Sequence, residues 1–137
     1  MIEVKSPATT YYEAQVQATE ATVATINNLL DVQKQIMKRG VKYDGIDMLP
    51  FPFITVVGHE WSLHWIYHRD SRDGGRPKMD VIGPCSLGGT QDRTNAFKPM
   101  NSIQKLKTWM GSEYSGWVKR WYGWRDGSFG VNEVQDV

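Results

Sequence analysis

The most constraining feature of this chain is a short strand that leads within a few residues into a long helix. Ile2 and Val4 alternate with Glu3 and Lys5 at the period of a strand, and Pro7 closes the run because proline cannot donate to a ladder. From Tyr11 to about Arg39, apolar residues recur near helical spacing at Tyr12, Val16, Val23, Ile26, Leu30, Ile36 and Met37. Thr9 or Thr10 is available as the N-cap and Gly40 as the stop. The chain therefore opens in the middle of a sheet.

Residues Val41 to Pro52, with Gly45, Pro50 and Pro52, read as a connecting loop. Phe53 to Val57 and Trp61 to His68 predict two strands, or one strand bent at Gly58. A turn over Ser71 to Pro77, marked by Asp73-Gly74-Gly75, leads to a short strand at Met79 to Ile82, which completes a β-meander. Gly83 to Asp92 reads as a Gly-rich loop. Beyond it Ile103, Leu106, Met110, Tyr114, Trp117, Trp121 and Trp124 step by three or four along a second helix. The predicted order is β-α-β-β-β-α, an α/β chain with its domain over residues 1–125 and a flexible tail over 126–137.

Composition narrows the function classes. Sixteen Lys and Arg against fifteen Asp and Glu leave a formal net charge of +1, so nucleic-acid contact would have to come from a local patch. Cys85 is the only cysteine, which excludes an intramolecular disulfide and makes an intracellular location the expectation. The longest uncharged apolar run, Leu49 to Gly58, is too short and too proline-rich to span a bilayer, so no membrane partner is expected.

Several candidate chemistries fail on spacing. His59-Glu60 lacks the second histidine of a zinc-protease helix, because Leu63 occupies that position and His64 follows it. On a strand, Glu60, Ser62, His64 and His68 share a face, but His64 and His68 stand about 13 Å apart by strand rise, too far for one ion. These histidines are expected at the surface or half-buried, with Trp61, Leu63, Trp65 and Tyr67 forming the core face. The Gly83 to Thr90 stretch has no P-loop lysine at the required offset.

Glu3 and Lys5 are the remaining constellation. Residues two apart on a strand point the same way, so a carboxylate stands beside an ammonium. The carboxylate can hold a hard divalent cation, and the lysine can orient a water or stabilise a crowded phosphate.

Ile2-Glu3-Val4-Lys5-Ser6-Pro7, followed on a helix by Glu13-Ala14-Gln15-Val16, resembles the second half of a PD-(D/E)XK nuclease site. More narrowly it is similar to the fungal PD-(D/E)XK nuclease-like domains. The likeness continues through Leu49-Pro50-Phe51-Pro52, Val57-Gly58-His59-Glu60-Trp61, Ile82-Gly83-Pro84 and Leu106-Lys107-Thr108-Trp109. It implies a restriction-endonuclease-like α/β core, present as its C-terminal part from the Glu-x-Lys strand onward.

Carried over by position, the resemblance makes Glu3 a ligand for Mg²⁺, Lys5 the catalytic lysine and Gln15 a helix residue leaning toward the site, with Gln17 as its rival. The implied activity is metal-dependent hydrolysis of DNA phosphodiesters in the nucleus or cytoplasm. The motif's first acid, on a preceding strand, has no counterpart ahead of Glu3 except Met1 and Ile2. One carboxylate is a poor cage for Mg²⁺, so this isolated chain is expected to be inactive, as a C-terminal piece of a longer domain, a degenerate member, or one whose missing acid a partner chain supplies. The alternative is a non-catalytic module of the same fold. It would bind nucleic acid or a protein partner through Trp109, Trp117, Trp121 and Trp124 beside Lys105, Lys107, Lys119, Arg120 and Arg125.

Overall fold

The computed structural model describes residues 1–8, 10–39, 48–69 and 78–121; it does not describe the side chains of Met37 and Trp121. The predicted turn over Ser71 to Pro77, the Gly40 stop and the tail all lie outside the described residues. So do Trp124 and Arg125.

Strand β1 (Ile2–Lys5) leads into helix α1 (Tyr11–Lys38). Thr10 is the N-cap: its Oγ1 accepts from the Glu13 backbone N–H while Glu13 Oε2 accepts from the Thr10 N–H, both at 3.2 Å. This reciprocal box satisfies two of the donors that a helix start leaves unpaired. The chain returns in β2 (Phe51–Val57), which pairs parallel to β1 with Ile2 opposite Ile54 and Lys5 opposite Val57. Gly58, at φ 60°, and His59 then reverse the chain as in a type II′ turn, which requires a positive φ at its first central residue. Strands β3 (Glu60–Arg69) and β4 (Lys78–Gly89) complete a sheet of order β1-β2-β3-β4.

Two expectations need correction. Strand β2 begins at Phe51, so Pro52 belongs to the sheet and sits opposite Trp65. Among the described residues β1 pairing starts at Ile54, so the missing donor of Pro52 interrupts no ladder bond described on that edge. The Gly-rich stretch after Ile82 is strand, not loop: Cys85, Ser86, Gly88 and Gly89 pair with Leu63, Ser62, Trp61 and Glu60, with two register shifts. Gly83 and Gly88, at φ 138° and 105°, supply the backbone that those irregularities require.

The core lies between α1 and one sheet face. Ala18, Ile26, Phe51, Phe53 and Ile66 form its centre, with Met48, Met79 and Tyr114 at its margin. Burying one such large side chain stabilises by roughly 1.5–3 kcal/mol. The face of β3 chosen as core is therefore the opposite of the expected one: His64 and Ile66 are fully buried, whereas Trp61, Leu63 and Trp65 are half-buried and Tyr67 is exposed.

A second helical segment reaches that other face. It runs as α2 (Phe97–Trp109), a π-turn (Met110–Tyr114) and α3 (Ser115–Trp121). Trp109 meets Trp65 edge-on at 5.5 Å on that face, Tyr114 reaches past the sheet end to meet Phe51 of the α1-side core at 5.5 Å, and Trp117 is 2% exposed. These aromatics are packing residues, and Lys105, Lys107, Lys119 and Arg120 are left exposed around them. No helix among the described residues is long and apolar enough to cross a membrane.

Two glycines give opposite predictions. A Cβ on Gly83 would lie 2.9 Å from His64 Nδ1 and 3.0 Å from the Leu63 carbonyl oxygen, so Gly83→Ala lowers stability. The expected loss is about 1–3 kcal/mol. A Cβ on Gly111 meets nothing within 4 Å, so Gly111→Ala raises stability. The expected gain is about 0.5–1 kcal/mol. Urea denaturation of both variants checks the two signs.

Candidate active site on strand β1

Strand β1 is built against the usual pattern of a strand. Its apolar residues Ile2 and Val4 are 51% and 68% exposed, while Glu3 and Lys5, on the other face, are half-buried. Lys5 Nζ lies 2.8 Å from Glu3 Oε1, with side-chain exposures of 27% and 28%. Such a pair contributes at most about 1 kcal/mol. Turning the strand over would bury two aliphatic side chains, each worth roughly 1.5–3 kcal/mol. Stability alone thus favours the reverse orientation, and local rules are broken most often where function requires it.

The register shows what surrounds the pair. Glu3 is directly opposite Thr55, which is opposite Ser62; Lys5 is opposite Val57, which is opposite Glu60. Residues directly opposite share a face, so all six stand on the side covered by α1. On that helix Ala14 and Ala18 are fully buried and Gln15 is half-buried on the same side, whereas Gln17 is exposed. The structure brings Glu3 and Lys5 into direct contact. Gln15 sits on the helix that packs on β1, and no hydrogen bond joins it to the pair.

Of the acids that might complete a metal cage, Glu60 stands on the same face in the Lys5–Val57 row, two strands from Lys5. Asp80 forms an ion pair with Arg69 at the far end of the β3–β4 ladder, and Asp44, Asp47, Asp70 and Asp73 lie outside the described residues. Among the described residues no group of three or more His, Cys, Asp or Glu side chains could hold a metal ion. The described residues by themselves do not supply the donor set of a resident Mg²⁺. Mg²⁺ does accept a single carboxylate when substrate phosphates and water fill the remaining positions, and Glu3 can provide that one.

The sequence reading missed His64. It is 0% exposed and stacks on Phe53 at 4.5 Å with the rings 3° from parallel. Its Nε2 lies 2.8 Å from Tyr11 Oη and 3.1 Å from Thr55 Oγ1. Burial holds its pKa below the ordinary 6.5. The partners lie 53 and nine residues away in sequence, so no local pattern announces them.

Residues 1–115 match the sequence model of the PD-(D/E)XK nuclease superfamily, and the chain belongs to that superfamily. The four-stranded sheet with its parallel β1–α1–β2 unit is a mixed α/β arrangement consistent with such a nuclease-like fold. No curated protein and no solved structure matches the chain.

The depressed His64 pKa makes stability depend on pH. Below pH 6.5 the unfolded chain binds a proton that the folded chain refuses, so stability is full above 6.5 and falls as the solution is acidified. The denaturation free energy should fall below that pH with a slope of up to ~1.4 kcal/mol per pH unit. His64→Gln should flatten that slope, which chemical denaturation from pH 8 to pH 5 measures.

Proposed function

We propose that this domain hydrolyses phosphodiester bonds in DNA, with Glu3 and Lys5 at the reacting phosphate. The inverted burial of β1, which turns a charged pair inward and two aliphatic residues outward, is the observation that carries this function. Superfamily membership over residues 1–115 supports the reaction class.

Glu3 is the group suited to a divalent cation shared with the substrate. Mg²⁺ bound in that way would supply charge neutralisation and an activated water. The ammonium of Lys5 has three donors, and its contact with Glu3 leaves others free for a non-bridging phosphate oxygen. As water attacks phosphorus and a bond from phosphorus to a sugar oxygen breaks, negative charge builds on those oxygens, and a fixed cation stabilises it. Half-burial strengthens that interaction relative to water. Gln15, one helical turn after Tyr11, has an amide that can hold the attacking water or the substrate. Action on DNA implies a nuclear or cytoplasmic site of work.

A binding-only module that stacks bases on its closing helix is less well supported. Trp109 and Trp117 pack inward, so that helix offers basic side chains without those two stacking platforms.

Lys5→Ala should lower Mg²⁺- or Mn²⁺-dependent cleavage of duplex DNA at least ~10³-fold, while the melting temperature moves by only a few degrees because the ion pair is worth so little. Cleavage by Lys5→Ala at the unmodified rate removes the assignment.

A further inference from the structure

Among the described residues His64 is the only fully buried ionisable side chain. Its ring lies between Phe53 and Tyr11, with centroids at 4.5 and 5.8 Å. A phenylalanine could stack there without the cost of desolvating two ring nitrogens. The nitrogens therefore point to the role of this residue.

Nδ1 is hidden from solvent, has no hydrogen-bond partner and faces Gly83, where even a Cβ would come within 2.9 Å. The polar contacts of the ring are all at Nε2, which lies 2.8 Å from Tyr11 Oη and 3.1 Å from Thr55 Oγ1. One ring nitrogen thus ties together two hydroxyls from different elements. Thr55, fully buried, is the β2 residue directly opposite Glu3. Tyr11 is the first residue of α1, one turn before Gln15 on the same side of the helix.

We propose that His64 is a positioning residue for the site: through Tyr11 it sets the height of the first turns of α1, and with them Gln15, over the Glu3–Lys5 face, and through Thr55 it fixes the residue that faces Glu3. This inference rests on the nuclease function proposed above for its purpose, while its geometry is measurable in the free protein.

The test uses Tyr11→Phe, His64→Phe and the double variant in the full chain, with His64→Gln as the conservative replacement. Tyr11 is half-buried, and Tyr11→Phe keeps the ring contact while removing only the hydroxyl, so that variant folds. Amide hydrogen exchange at Ala14 and Gln15 should accelerate about tenfold in each single variant, and the double variant should add less than about twofold, because both remove one shared interaction. In DNA cleavage, Tyr11→Phe should lower kcat about tenfold with KM nearly unchanged, and His64→Gln should recover part of the rate lost in His64→Phe.

Unchanged exchange at Gln15 in Tyr11→Phe, additive effects in the double variant, or an unchanged kcat in Tyr11→Phe each overturn the positioning role alone. A wild-type chain that cleaves no DNA overturns the nuclease function and the positioning role with it. The two failures are therefore distinguishable.

Discussion

The close seating of α1 on the sheet is the constraint on which the remaining geometry depends. Ala14 and Ala18, both fully buried, let the helix backbone approach the sheet, and Ile26 then fills the space against Phe53 and Ile66. A larger side chain at either alanine would lift the helix, and overpacking of this kind typically costs about 1–3 kcal/mol. The lift would also draw Tyr11 away from His64 and Gln15 away from the face of Glu3 and Lys5. Packing and site geometry are thus set by the same contacts, and α1 belongs to both.

The sheet has two differently used faces. Under α1 it carries the aliphatic and aromatic core together with a polar line formed by Glu3, Thr55 and His64. The other face is partly covered by α2, where Trp65 meets Trp109. Ile2 and Val4 stay exposed there, on the strand at the edge of the described sheet. The arrangement gives up more burial energy than the Glu3–Lys5 ion pair returns, a stability cost of the kind that functional sites commonly carry.

Much of this was legible from residue order. Strict alternation over Ile2 to Lys5, helical spacing from Tyr11 onward and the paired apolar runs around Gly58 are local signals, and the elements formed where those signals stood. Glu3 and Lys5 were legible as a pair because strand geometry alone brings them together. Glycine punctuation misled at Gly83 to Gly89, because pairing with β3 is a tertiary decision that overrides the turn preference. The choice of core face on β3 was not legible, since the buried face carries Glu60, Ser62, His64 and His68 with Ile66 as its one large apolar residue, and it is the packing of α1 on the sheet, a tertiary choice, that covers it. The environment of His64 depends on Tyr11 and Gly83, which no local pattern connects to it.

The central proposal is that Glu3 takes its divalent cation together with a substrate phosphate. Paramagnetic resonance of Mn²⁺ tests it directly, comparing the unmodified chain with Glu3→Gln, each alone and with a short phosphorothioate DNA duplex. The predicted result is a free-ion signal unchanged by either protein alone, and a loss of signal with DNA that is greater for the unmodified chain than for Glu3→Gln. Equal losses in the two proteins, or binding of Mn²⁺ by the unmodified chain without DNA, would contradict the account.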